Sequence, residues 1–155
     1  MHIVVGTDAG YVADDVVAAL GGPETSFTVV REGRTVSKVV EARTPDLVVL
    51  DLQIGSMGGM AVTMGLRLDE SVGRIPRLPV LMLLDREADI HLAKRCDANA
   101  WLVKPLDALT IKRTVAKVLA AVAADDAAAH PGEALPEVIA VAAEDSHEEE
   151  PAPAG

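Results

Sequence analysis

Pro45-Asp46-Leu47-Val48-Val49-Leu50-Asp51 is an apolar run ended by a carboxylate, and Gly55, Gly58 and Gly59 follow it at once. Val and Leu without polar alternation mark a strand covered on both faces, as in a parallel sheet. Where such strands alternate with helices, a terminal carboxylate lies at the carboxyl end of a central strand. Open α/β sheets place their chemistry on that edge. A second buried run, Trp101-Leu102-Val103, ends in Lys104-Pro105. An ammonium there can meet Asp51 across the same edge, and the pair suggests a phosphoryl-accepting site.

The rest of the chain repeats this alternation. Candidate strands are 2–6, 26–31, 46–51, 79–84 and 99–103. Between them Val12, Val16 and Leu20 recur at helical spacing, as do Val36, Val39 and Val40. Ile111, Val115, Val118, Leu119 and Val122 form a stripe over 108–123. Gly21-Gly22-Pro23, Glu32-Gly33, Thr44-Pro45 and Arg74-Ile75-Pro76 punctuate the elements. Five β/α repeats with right-handed crossovers predict a doubly wound, five-stranded parallel α/β sheet of flavodoxin-like order.

A length of 155 residues suits one domain of ordinary size. Aromatics are limited to Tyr11, Phe27 and Trp101, so Val, Leu, Ile, Ala and Met must build the core. The lone Cys96 excludes an internal disulfide and fits a reducing cytoplasm. Met1-His2-Ile3-Val4-Val5 leads directly into a strand, without a basic region or a long apolar stretch. A soluble cytoplasmic protein with no signal peptide and no membrane span is expected.

The net charge of −10 is unevenly placed. Residues 124–155 hold nine acids and no Lys or Arg, so 1–123 is close to neutral. Neither part shows the basic stripe of a nucleic-acid binder. The expected organisation is a domain over 1–123 and a disordered acidic tail, rich in Ala, Pro and Glu, over 124–155. A short docking segment at 135–142 is the alternative expected within that tail. Lys112, Arg113 and Lys117 give the last helix a basic patch that the tail can meet.

At this point the sequence resembles the receiver domain of bacterial response regulators, in particular an atypical single-domain actinobacterial type. Pro45 to Leu52 is similar to the third strand with its phospho-accepting aspartate, Asp51. Pro79-Val80-Leu81-Met82-Leu83 is similar to the fourth strand. Ala98-Asn99-Ala100-Trp101-Leu102-Val103-Lys104-Pro105 is similar to the fifth strand with its lysine and a cis proline bond. The resemblance covers 2–123 and implies a signalling module of two-component phosphorelay systems, not an enzyme.

It also implies residues that this chain lacks. Receivers hold Mg²⁺ on two acids after the first strand, and those places are Gly6 and Thr7, with Asp8 next. Asp8 and Asp51 make a weak metal pair, so no cofactor is expected, with Mg²⁺ on that pair as the alternative. The hydroxyl position at the end of the fourth strand is Leu84, and Asp85 stands where the family keeps a small residue. Trp101 occupies the aromatic switch position. Gly55 replaces a proline usual after the acceptor.

These departures favour a phosphorylation-independent interaction module, with Asp51 and Lys104 as an ion pair. The resemblance implies a protein partner on the face made by residues 86–97, 99–103 and 108–123. It extends to a large complex such as respiratory NADH dehydrogenase (complex I). With 32 residues after the domain, no output domain is expected. The alternatives are a conventional receiver phosphorylated on Asp51 by a histidine kinase, and a small-ligand or flavin-binding domain. Bland roles are expected elsewhere: N-caps for Asp8 and Asp107, a flexible loop at Gly55-Ser56-Met57-Gly58-Gly59, an exposed bystander in His91 and a small buried residue in Cys96.

Overall fold

The computed structural model describes residues 1–129. Its strands are β1 (His2–Gly6), β2 (Ser26–Val30), β3 (Leu47–Asp51), β4 (Val80–Leu84) and β5 (Ala100–Val103). The helices are α1 (Gly10–Leu20), α2 (Gly33–Ala42), α3 (Gly59–Ser71), α4 (Ile90–Arg95) and α5 (Ala108–Ala129), with a 3-10 turn at Glu87–Asp89 ahead of α4. Each strand boundary lies within one residue of the expectation.

The strands pair in parallel in the order β2-β1-β3-β4-β5. Every residue of β1, β3 and β4 is buried, which explains their unbroken apolar runs. The edge strands β2 and β5 are only partly covered. From β1 the chain first winds outward to β2 and then returns past β1 to β3. The strand order therefore reverses between β1 and β3, and their carboxyl ends open the crevice in which such folds bind.

Side-chain alternation divides the core between the two faces of the sheet. Val4, Val48, Leu50 and Val80 pack with Val36 and Val40 of α2 and with Val62 and Leu66 of α3. On the other face Ile3, Val5, Val49, Leu81 and Leu83 meet Val12 and Val16 of α1 and Ile111 and Val115 of α5. A third group joins Met82 and Leu84 to Ala93 and Cys96, with Trp101 and Val103 against it. Each such Val or Leu contributes about 1.5–3 kcal/mol relative to exposure.

Two compact units divide the chain, Met1–Ala120 and Ala121–Gly155. The sheet belongs to the first. In the second, residues 121–129 are helical, so helix replaces the disorder expected from 124 to 129. The stretch has no apolar stripe to reveal it, but it is rich in Ala, the best helix former. The remainder of the expected tail, with the segment 135–142, lies outside the described residues. Among those described, no helix is long and apolar enough to cross a membrane.

Candidate functional site

The β1–β3 register aligns Gly6 with Leu50, so the next residues along, Thr7 and Asp51, end up side by side. Both are buried, at 0% and 2% exposure. The Thr7 hydroxyl donates to Asp51 Oδ2 at 2.9 Å and accepts from the Ala9 N–H at 3.1 Å. Lys104 reaches over β4 from the end of β5, placing Nζ at 2.9 Å from Asp51 Oδ1 and 3.0 Å from Oδ2. The Gln53 N–H donates to Oδ1 at 3.1 Å. Each Asp51 oxygen thus accepts two hydrogen bonds, which fills the acceptor capacity of a carboxylate.

Lys104 is shared. Its Nζ also lies 3.0 Å from Asp85 Oδ1, at the end of β4, and Asp85 is the more exposed of its two carboxylate partners. Partial burial pulls the Lys104 pKa down, but hydrogen bonds and charge from Asp51 and Asp85 outweigh it, and the net shift is upward. The Lys104–Pro105 peptide bond is cis.

The other expected residues fall as follows. Leu84 is fully buried in the apolar group with Met82, Ala93 and Cys96, so no hydroxyl faces the site from this position. Trp101 is half-buried, and Lys94 Nζ lies 5.6 Å from its ring centroid, a cation–π contact that the sequence reading missed. Gly6 contributes no group to the pocket. A Cβ there would lie 2.6 Å from Leu50 Cδ2 and near Val36 and Ile54, so a side chain at this position enters the core.

Asp8 is not an N-cap. Ala9 holds that position in α1, and its methyl side chain has no acceptor with which to cap; its own N–H donates to the Thr7 hydroxyl. The exposed Asp8 carboxylate instead accepts from the Gly55 N–H at 3.2 Å. Asp107 does cap α5, accepting from the Leu109 and Thr110 N–H groups at 3.2 and 3.0 Å and from the Thr110 hydroxyl. Those bonds, Thr110 first, hold its pKa below the usual carboxylate value. Burial pushes the Cys96 thiol up, and His91 is exposed with Nδ1 on Ala88 O.

The loop after β3 is tied at several points. Gly33 N–H donates to Gly55 O at 2.9 Å and Gly59 N–H to Leu52 O at 3.1 Å. Arg34 Nε donates to the Ser56 hydroxyl at 3.3 Å. Gly33 sits so close that a Cβ would fall 1.8 Å from Met57 O. These anchors replace the flexible connection expected there. Arg86, bonded to the buried Asp89 at 2.8 and 3.3 Å, was also missed and braces the turn after Asp85.

The donor set does not fit Mg²⁺. Beside Asp51 stands a hydroxyl that donates toward it, and an ammonium already covers both carboxylate oxygens. A hard cation needs oxygen ligands with free lone pairs in near-octahedral array. Among the described residues no three acidic, His or Cys side chains group to supply them.

The model of the response regulator receiver domain matches residues 5–116. The chain belongs to the response regulator receiver family. This receiver is 29% identical over 127 residues to an uncharacterized response regulatory protein of Mycobacterium tuberculosis, covering 78% of this chain and 92% of that one. It is 33% identical over 76 residues to protein PilH of Pseudomonas aeruginosa, covering 49% of this chain and 62% of that one, under two thirds of PilH. In fold, the receiver resembles chemotaxis protein CheY4 of Vibrio cholerae, with TM-score 0.66 at 20% identity over 76% of this chain and 97% of that one. A putative response regulator of Chloroflexus aurantiacus gives 0.68 at 20% identity over 77% and 97%. Receivers are signalling modules of two-component systems and not enzymes, and this chain is a signalling regulator of that kind.

Proposed function

We infer that this receiver acts by contact with a partner protein and does not depend on phosphorylation of Asp51. The observation that carries this reading is the saturation of Asp51. Its four acceptor sites are occupied by Lys104, Thr7 and Gln53, so an attacking lone pair must first be released. Phosphoryl transfer relies on positioning and on cations that neutralise developing charge. Here Lys104 is already neutralised by two carboxylates, and Asp85 adds negative charge where a phosphoryl group must enter.

The contact face in this reading comprises residues 86–97, 99–103 and the α5 residues up to Ala120. It carries the Lys94–Trp101 pair and the exposed Lys112, Arg113 and Lys117. A respiratory NADH dehydrogenase complex is the partner implied in this reading by the actinobacterial likeness of the sequence.

The second reading is a conventional phosphorelay receiver, favoured by the direct Lys104–Asp51 contact. Incubation with acetyl phosphate and Mg²⁺ separates the two. The expected intact mass is unchanged; a gain of one phosphoryl group, absent in Asp51→Asn, establishes the second reading instead.

A further inference from the structure

Among the described residues α4 is the shortest α-helix, six residues from Ile90 to Arg95, and Ala93 is the one it buries fully. A helix of that length is not stable by itself in water. Elements with few buried apolar contacts are also the first to open locally. What holds α4 in place is therefore found at its ends.

The carboxyl end is tied through the backbone. Cys96 N–H donates to Leu92 O and Ala98 N–H to Ala93 O, both at 3.1 Å, and Cys96 and Ala98 pack in the apolar group with Leu84. The amino end depends on side chains. No side chain caps α4, and the turn before it is closed by the Arg86 fork onto the buried Asp89. Asp85 joins that turn to the sheet.

Asp85 is the first residue past β4 and Lys104 the first past β5. The two strands end together, with Lys104 N–H on Leu84 O at 2.8 Å. The 3.0 Å contact between Lys104 Nζ and Asp85 Oδ1 carries that pairing one step beyond the sheet. Buried Asp51 fixes the ammonium, so the exposed Asp85 is the group that moves when the contact breaks. Further along, α4 sets Lys94 against the Trp101 ring.

We propose that Asp85 is a latch: its bond to Lys104 pins the β4–α4 turn and, through Arg86 and Asp89, sets the position of α4 and of the Lys94–Trp101 pair. The chain's own carboxylate then holds the contact face in one arrangement. That use of the latch rests on the contact-face reading above; the latch itself does not.

Amide hydrogen exchange by NMR on the full chain tests this in wild type, Asp85→Ala and Glu87→Gln. The Asp89 and Ile90 N–H groups are the probes, since both are bonded within the turn, to Arg86 O and Glu87 O. Asp85→Ala should speed their exchange about 2- to 5-fold, the share of a solvent-screened pair, with the β3 amides unchanged. Acrylamide quenching of Trp101, the sole tryptophan, should rise in the same variant. Glu87→Gln, which removes a neighbouring charge outside the bridge, should match wild type in both readouts. Unchanged exchange at Asp89 and Ile90 in Asp85→Ala overturns the latch. So does an increase shared by β3, which is global destabilisation, or one reproduced by Glu87→Gln, which is a general charge effect. Phosphoryl uptake by the wild type ends the phosphorylation-independent reading but leaves these rates, and the latch, standing.

Discussion

Lys104 Nζ lies 3.0 Å from Asp85 Oδ1 while also holding both oxygens of Asp51, so the three N–H groups of one ammonium serve two carboxylates. The acceptors differ in exposure: the Asp51 side chain is 2% exposed and that of Asp85 41%. Coulomb attraction and desolvation both scale with the loss of water, so the two halves of this bridge respond differently to substitution.

Removing the lysine strands the buried partner. Lys104→Met leaves Asp51 charged without a cation, and breaking a buried pair from one side costs about 3–5 kcal/mol. Urea unfolding is expected to show that loss, and Lys104→Met/Asp51→Asn to recover most of it. A double variant no more stable than Lys104→Met contradicts the pairing as the source of the loss.

The exposed half is weaker. Asp85→Asn is expected to cost no more than about 1 kcal/mol, as for other solvent-screened pairs. It also removes two of the influences that raise the Lys104 pKa, which must then move down from its wild-type position above 10.5. A raised lysine pKa stabilises the fold below the unfolded value and loses that contribution as pH climbs through the folded one. The alkaline limb of the stability curve should therefore begin earlier in Asp85→Asn, and NMR titration of the Lys104 side chain reads the shift directly.

The acidic side has its own reporter in His2. Burial, then the Arg43 charge, lowers its pKa from 6.5 against an opposing pull from Asp46. The ring sits between the Ser26 and Thr28 hydroxyls at 2.9 and 3.3 Å. Below pH 6.5 the unfolded chain takes up the proton first, so stability declines as pH falls through that value. His2→Gln should flatten this part of the urea-midpoint profile; an identical slope in both proteins excludes His2 as its source.

These relationships were unequally legible in the sequence. β3 and β4 announce themselves because burial on both faces leaves no polar residue in their runs. Asp51 and Lys104 followed from being strand-end residues of opposite charge. Thr7 was read only as a missing acid, because its bond to Asp51 depends on the β1–β3 register, which brings residues from distant parts of the chain together. Asp8 misses its expected cap because α1 starts at Gly10, which leaves Ala9 in the cap position. Arg86–Asp89 and Lys94–Trp101 were missed for a related reason: short-range polar pairs look like ordinary surface charge until burial is known. The end of α5 escaped because a poly-alanine helix has propensity without periodicity.

Glycine positions separate packing from propensity. A methyl group on Gly33 would meet Met57 O at 1.8 Å, a backbone atom that cannot yield without moving the loop. Gly65 lies mid-helix in open space. Gly33→Ala is expected to destabilise by about 1–3 kcal/mol through overpacking, and Gly65→Ala to stabilise by up to about 1 kcal/mol. Thermal unfolding of the two variants at low concentration checks both signs.

Rebuilding the site tests whether Thr7, Leu84 and Asp85 set the reactivity of Asp51. Thr7→Asp replaces a donor with an oxygen ligand beside Asp51, and Asp85→Ala removes the carboxylate that competes for Lys104. Leu84→Thr brings a hydroxyl to the end of β4, but at a fully buried apolar position, where an unpartnered hydroxyl costs roughly 1–3 kcal/mol. The three changes are therefore separable by stability as well as by reactivity. Thr7→Asp/Asp85→Ala is expected to fold and bind Mg²⁺, since a new carboxylate then stands at the β1–β3 crevice beside the Asp51 Oδ2 lone pair that Thr7 had occupied. With acetyl phosphate and Mg²⁺ it should gain one phosphoryl group by intact mass, and Asp51→Asn in that background should abolish the gain. The triple variant should hold the group longer at lower stability, because its hydroxyl can bond a phosphoryl oxygen. If the double variant binds Mg²⁺ yet stays unmodified, the saturation of Asp51 by Lys104 and Gln53 suffices to silence it, and Thr7 and Asp85 are secondary.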